Sequence, residues 1–279
     1  MATYSEIGWT DHTFNPWWGC TKVHQGCKNC YAETLDARYS LAGKAHWGPR
    51  NPRRMIVGEW ARPMEWNREA ERSGVPGRVF CASMCDLFED FDGPVVDQRG
   101  HPVAMRDQVG NWDVPRLRAR VFRIIEDTPH LLWQLLTKRP ENVTRMVPTA
   151  WLERWPENVM TGTSPCDQAT ADEAIPHLLK VPGRLFLSCE PLLGPLSLSD
   201  RGWLYDSIGG SGGERQIHWV ITGGESGSGH RDCDPAWQES IVNQCEAAGV
   251  PVFVKQDSGP KPGKQGRLSD RVWAFKQFP

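Results

Sequence analysis

Val159-Met160-Thr161-Gly162-Thr163, then Ser164-Pro165-Cys166-Asp167, then a run to Leu179, then Leu185-Phe186-Leu187-Ser188-Cys189 is the stretch that decides the fold. Its two ends are short, apolar and rich in strand-forming residues. Between them residues 167–179 carry an apolar stripe with polar flanks, opened by Asp167 as a cap, with Asp172 and Glu173 early. The stretch reads as strand, helix, strand. Strands joined by a helix run parallel, because only a crossover brings the chain back to the same end of the sheet.

The rhythm repeats in both directions. Further strands are expected at 7–14, 79–84, 131–136, 218–222 and 252–255, and helices at 31–42, 114–127, 140–146 and 235–248. Asp234-Pro235 caps the last of these helices with proline at its first position, and Gly249-Val250-Pro251 stops it. The expected class is α/β. In parallel sheets ligands collect at the carboxyl ends of the strands, so the residues just after each run are the candidate site. They read Cys85-Asp86, Thr137-Lys138-Arg139, Ser164, Glu190, Gly223-Gly224-Glu225 and Gln256-Asp257.

Two stretches break the rhythm. Residues 43–77 carry Arg50, Arg53, Arg54, Arg62, Arg68 and Arg72 with several tryptophans, and read as a surface loop, a lid or a nucleic-acid-facing insertion. Residues 92–112 are punctuated by turn residues and read as a surface excursion. The 279 residues are otherwise taken as one barrel-sized domain, without internal repeats.

Composition narrows the function classes. Lys and Arg number 32 against 34 Asp and Glu, a formal charge of −2, which excludes the strong positive field of a non-specific DNA coater. No run approaches the roughly 18 apolar residues of a membrane span. Met1-Ala2-Thr3-Tyr4-Ser5-Glu6 lacks a basic start followed by an apolar run, so the expected location is the cytoplasm. Nine cysteines, an odd number without an export signal, point to metal or redox chemistry before disulfides. Of the 14 tryptophans, Trp9, Trp17 and Trp18 lie near the first cysteines, where they fill core or shield a cofactor.

Those cysteines form the densest chemical signal: Cys20, Cys27 and Cys30, with six and two residues between them, directly after the first expected strand. Gly19 and Gly26 permit a tight loop, and Lys22 and Lys28 offset thiolate charge. Two metals suit the spacing, and a fortuitous trio of buried thiols is the third reading. A structural zinc wants four protein ligands and would need His24 or a distant thiol to complete the set. A four-iron cluster on three cysteines keeps one iron open, where the amino and carboxylate groups of S-adenosylmethionine can bind.

Asn15-Pro16-Trp17-Trp18-Gly19-Cys20-Thr21-Lys22 and Gly26-Cys27-Lys28-Asn29-Cys30-Tyr31-Ala32-Glu33 resemble a phage and mobile-element family of radical S-adenosylmethionine-type proteins with a widened three-cysteine motif. Further matches follow in order: Ser83-Met84-Cys85-Asp86-Leu87-Phe88, Leu136-Thr137-Lys138-Arg139-Pro140, Leu187-Ser188-Cys189-Glu190-Pro191, Trp219-Val220-Ile221-Thr222-Gly223-Gly224-Glu225 and Phe253-Val254-Lys255-Gln256. Their joint occurrence spans nearly the whole chain. The resemblance implies a partial βα barrel, parallel strands inside and helices outside. It also implies a [4Fe-4S] cluster on Cys20, Cys27 and Cys30, reductive cleavage of S-adenosylmethionine to a 5′-deoxyadenosyl radical, and an electron donor such as flavodoxin or ferredoxin.

On this reading Lys138 or Arg139 pairs with the methionyl carboxylate and Glu190 or Glu225 accepts from its ammonium group. Ser83 or Asp86 holds ribose hydroxyls, and Gly223 and Gly224 let the backbone approach the cofactor. A barrel-mouth ion pair without a ligand is the alternative for Lys138, Arg139 and Glu190. Cys85, Cys166 and Cys189 are either hydrogen donors to a substrate radical or small core residues, and His24, His46 and His230 are loop histidines that either act in acid-base steps or are simply solvated. The chain departs from the family pattern at Thr163-Ser164-Pro165-Cys166-Asp167 and at Lys255-Gln256-Asp257-Ser258-Gly259. A nucleobase in DNA or a nucleotide is the expected substrate, from the phage-like context, the arginine-rich segment and tryptophans able to stack on bases. A zinc-stabilised, non-catalytic nucleic-acid-binding or partner-recruiting protein is the competing reading.

Overall fold

A computed structural model describes residues 5–40, 45–105, 109–204 and 216–279. Its strands are β1 (His12–Thr13), β2 (Trp17–Trp18), β3 (Arg53–Met55), β4 (Gly77–Cys81), β5 (Val95–Val96), β6 (Leu131–Thr137), β7 (Val159–Thr163), β8 (Arg184–Cys189), β9 (Trp219–Gly223) and β10 (Val252–Gln256). The helices are α1 (Tyr31–Tyr39), α2 (Arg62–Ser73), α3 (Val114–Glu126), α4 (Val143–Met146), α5 (Thr149–Glu153), α6 (Gln168–Leu178), α7 (Pro235–Ala248) and α8 (Asp270–Trp273). Seven strands pair in parallel in the order β1-β4-β6-β7-β8-β9-β10 and curl into a half-barrel, the α/β architecture expected from the sequence rhythm.

Alternation along the strands divides their side chains between two cores. Val79, Leu131, Trp133, Leu135, Leu185, Leu187, Val220, Val252 and Val254 join the larger core, together with Leu117, Val121 and Ile125 of α3, Ile175 of α6 and Ile241 of α7. Phe80, Met160, Phe186, Trp219, Ile221 and Phe253 form a second cluster with Trp9 inside the curl, and Leu132 and Leu136 pack against it. Carried to the strand ends, the same period brings Lys138, Ser164, Glu190 and Lys255 to the concave side of the mouth. At the open β10 edge, Val254 N–H donates to Phe275 O at 2.9 Å and Gln277 N–H to Val252 O at 3.1 Å.

Local signals explain the helix ends. Asp167 accepts from Thr170 N–H at 2.9 Å in a reciprocal cap of α6, and Asp234 accepts from Ala236 N–H at 3.0 Å ahead of Pro235 in α7. Gly249 ends α7 at φ +67°, a left-handed conformation that costs glycine nothing. Other expectations shorten. Residues 7–14 yield only the two-residue β1, because Thr10 N–H turns back onto Ile7 O at 3.1 Å. Residues 140–146 are a tight turn over Pro140–Asn142 before the single-turn α4. Helix α1 ends at Tyr39, and the last residues expected in it, 41 and 42, lie outside the described residues.

The two rhythm-breaking stretches depart most from expectation. β3 and β5 pair in parallel, Arg53 with Val95 and Arg54 with Val96, and β3 pairs antiparallel with β2, Trp17 with Met55. Segments read as a surface loop and a surface excursion therefore build one small sheet whose third strand runs directly into Gly19-Cys20. Arg53 is 0% exposed, and Arg54, Trp47, Trp60 and Trp66 are buried. These two arginines and three tryptophans face the interior, where nucleic acid cannot reach them. Helix α2 packs Trp66 against the His12 ring with centroids 4.4 Å apart. No helix among the described residues is long and apolar enough to cross a membrane.

Candidate metal centre

The cysteine loop starts where β2 ends. Gly19 has φ +114°, and a Cβ there would stand 2.3 Å from His46 O, so glycine is required for both conformation and space. Gly48 N–H fixes Cys20 O at 2.9 Å. His24 Nδ1 accepts from Gly26 N–H at 3.0 Å and caps the tight turn Gln25–Cys27, and Cys30 occupies the cap position of α1. All three thiols are free and half-buried. Cys20 and Cys30 pack against one small cluster of Ala32, Trp47 and Met84.

Loops following several parallel strands hold this segment. From β6, Arg139 donates to Thr21 O at 2.6 Å and approaches Cys20 Sγ at 3.7 Å. Asp86, after β4, accepts from Arg139 Nη1 at 2.9 Å, Thr137 Oγ1 at 2.6 Å, Lys138 N–H at 3.1 Å and Phe88 N–H at 3.0 Å. From β9, Glu225 accepts from Asn29 Nδ2 at 2.8 Å and from Arg231 Nε at 3.0 Å, while Arg231 Nη1 donates to Gln25 O at 3.0 Å. From β7, Asp167 accepts from Gln25 Nε2. Behind the small sheet, Arg53 forms a two-pronged pair with Glu89 at 2.9 and 2.8 Å and reaches Thr21 Oγ1 at 3.0 Å.

The chain was compared with protein families, curated proteins and solved structures. A family described as "Protein of unknown function (DUF5131)" matches residues 4–273. The chain belongs to the DUF5131 family. No curated protein and no solved structure matches it.

In this DUF5131 protein the strand-end residues split into two groups. Asp86, Arg139 and Glu225 spend their charged atoms on the cysteine loop and its supports, as just described. Burial raises the Glu225 carboxyl, but hydrogen bonds from Arg231 and Asn29 outweigh it and hold the group below the usual carboxylate range. Ser83 Oγ accepts from Asn15 Nδ2 at 3.0 Å. Gly224 is needed because the chain crosses there: a Cβ would stand 2.2 Å from Ser258 N. At Gly223 a Cβ would meet only ordinary contacts, Lys255 Cβ at 3.4 Å and Glu190 Cδ at 3.5 Å.

The second group stands at the mouth. Glu190 is ion-paired with Lys255, which the site reading from sequence did not include. Lys138 is half-buried, and its ammonium makes no hydrogen bond or ion pair among the described residues. Tyr31 is 53% exposed, yet its hydroxyl donates to Ser83 O at 2.9 Å and its pKa is raised, first by burial and then by Cys30, Glu190 and Cys85.

The remaining candidates separate likewise. Cys189 is a core residue, and Cys85 is half-buried with its thiol raised well above its ordinary value by burial. Cys166 is 1% exposed, with Sγ 3.8 Å from His24 Nδ1. Burial, then Lys138, lowers His24 to about 4, so the ring is neutral near pH 7. His46 is buried with Nδ1 3.0 Å from both Asp36 oxygens, and His230 Nδ1 faces Gly227 O at 3.0 Å. Asn29, Arg231, Asn15, Glu89 and Lys255 are the site residues the sequence reading missed. Of these, Asn29 had a signal, lying inside the Cys27–Cys30 spacing, and Asn15 and Lys255 lay within the quoted motifs.

Among the described residues no three His, Cys, Asp or Glu side chains are grouped as ligands of a single ion. A tetrahedral zinc at about 2.3 Å from sulfur draws its ligands around one point. An iron-sulfur cluster is held through separate irons, so its thiols can stand apart. Three free thiols on one short loop, with a guanidinium N–H beside Cys20, are soft donors of the type that iron-sulfur clusters take. Burial, then Asp86 and Glu89, pushes the Cys20 thiol up to about 12 against the pull of Arg139, so binding must displace its proton.

Proposed function

We propose that this protein is a radical S-adenosylmethionine enzyme whose Cys20, Cys27 and Cys30 hold a [4Fe-4S] cluster. The observation that carries this reading is the bracing of three free thiols on one loop by residues following β4, β6, β7 and β9, at the carboxyl mouth of a parallel half-barrel. Bound there, the cluster would supply an electron to the sulfonium of S-adenosylmethionine, releasing a 5′-deoxyadenosyl radical.

The chain's own contribution is positioning. Lys138, a cation without an anionic partner among the described residues, is the group available to a methionyl carboxylate. Glu190 can accept from an ammonium group by exchanging its bond to Lys255. Tyr31 offers an aromatic wall, and the buried apolar cluster of Trp9, Phe80, Phe186 and Trp219 excludes water from the interior of the curl. An electron donor of the flavodoxin or ferredoxin class is part of the proposal, as is a nucleobase in DNA or a nucleotide as substrate. The substrate class rests on the resemblance to a phage and mobile-element family, since the tryptophans of residues 43–77 are buried.

The test is reconstitution of the purified chain with iron and sulfide under oxygen-free conditions, followed by dithionite and S-adenosylmethionine. Formation of 5′-deoxyadenosine is expected. A chain that binds one zinc and takes up no iron would instead be the zinc-stabilised protein. Incubation with DNA and with free nucleotides, read by nucleoside mass spectrometry, tests the substrate class, and unmodified nucleosides in both arms would overturn it.

A further inference from the structure

Arg139 is 8% exposed, and its fork is fully engaged. Nη1 is shared between Asp86 Oδ2 at 2.9 Å and Cys20 Sγ at 3.7 Å, and Nη2 between Thr21 O at 2.6 Å and Glu89 Oε1 at 3.7 Å. Glu89 is itself locked by the fully buried Arg53. The frame behind Cys20 thus holds Arg139 and Arg53 against Asp86 and Glu89, and among the described residues the cationic N–H it turns toward the sulfur is that of Arg139.

Resting on the cluster reading above, we propose that Arg139 is a positioning residue that raises the reduction potential of the Cys20-ligated iron-sulfur cluster, with Asp86 and Glu89 aiming its N–H at the sulfur. A hydrogen bond to a ligating sulfur withdraws electron density from the iron-thiolate bond and favours the more negative, reduced form. The effect is larger where water is excluded. Of the three thiols, only Cys20 has such a cationic donor among the described residues. The asymmetry also implies that the iron bound there differs electronically from the other two protein-ligated irons.

The test uses the full chain, reconstituted without oxygen, as wild type, Arg139→Gln and Arg139→Lys. Iron and sulfide content, electron paramagnetic resonance during redox titration and circular dichroism are measured on each. Both variants are expected to load iron and to titrate at more negative potential than wild type, the lysine variant less so because it keeps the charge for Asp86. In the wild type, isotope-labelled arginine is expected to give a nitrogen coupling to the reduced cluster, a readout that does not depend on any variant folding. Unshifted potentials in loaded variants, or no coupling in a loaded wild type, would overturn the proposal. A wild type that takes up no iron would overturn the cluster reading beneath it.

Discussion

Asn29 Nδ2 donates to Glu225 Oε2 at 2.8 Å, joining the residue between Cys27 and Cys30 to the loop after β9, 196 positions along the chain. The same carboxylate is held by Arg231, which continues to Gln25 O. The cysteine loop is thereby fastened from the β9 side as Arg139 fastens it from β6. Charge-assisted bonds of this kind contribute about 1.5–3 kcal/mol each. Glu225→Gln is expected to leave the fold intact but to shorten cluster retention several-fold, followed as loss of visible absorbance against an iron chelator. Retention equal to wild type would remove Glu225 from the loop's support.

Arg53 and Glu89 form the most buried ion pair among the described residues. Removing one partner strands the other charge in the interior, at a cost of about 3–5 kcal/mol. Arg53→Met is expected to lower the urea midpoint accordingly, and Arg53→Met with Glu89→Leu to recover much of the loss, because an apolar pair needs no compensating charge.

Neighbouring glycines should behave differently. Gly224→Ala forces a Cβ to 2.2 Å from Ser258 N, against backbone that cannot move aside cheaply, and is expected to destabilise by about 1–3 kcal/mol. Gly223→Ala meets contacts at 3.4 Å or more and is expected to cost under about 1 kcal/mol. Thermal melts of the two variants make the comparison. Equal losses would contradict the chain crossing at Gly224.

Asp36 gives the acid limb of stability a specific source. Burial raises its carboxyl, but hydrogen bonds from His46 and Ser40 and the charges of His46 and Arg54 outweigh it, leaving the folded-state pKa below the ordinary value. A group depressed in the folded state contributes fully above its unfolded pKa of about 3.9, and that contribution is lost as pH falls through the folded value. Wild-type stability should therefore fall below about pH 4, and Asp36→Asn should flatten that limb while lowering stability at pH 7. Parallel acid limbs in the two proteins would rule Asp36 out as the source.

The α/β alternation and the cysteine loop were legible because period-two apolar runs, aspartate caps and cysteine spacing are local signals, whereas the curl of the sheet into a half-barrel was implied only by the family resemblance. The small sheet was not. Arg53, Arg54, Val95 and Val96 pair over more than forty residues, and a sequence window cannot tell a buried, compensated arginine from a solvated one. Helix α2 hid for a related reason: its polar residues outnumber its apolar ones, although Pro63 in its first turn and Gly74 just past its end are the usual start and stop signals. The strand-end motifs marked residues that the fold gathers at the cysteine loop and the barrel mouth, but not their partners. Whether Glu225 meets a ligand or Arg231 depends on a partner six residues on whose direction only the fold sets.

The central claim is that Cys20, Cys27 and Cys30 hold an iron-sulfur cluster with one iron open, and iron analysis with spectroscopy of the oxygen-free reconstituted chain tests it most directly. Roughly four irons per chain are expected, with an electron paramagnetic resonance signal of the reduced cluster that changes on adding S-adenosylmethionine, and both should be lost in Cys20→Ser, Cys27→Ser and Cys30→Ser. One tightly bound zinc without iron uptake, or a cluster whose signal ignores S-adenosylmethionine, would contradict the account.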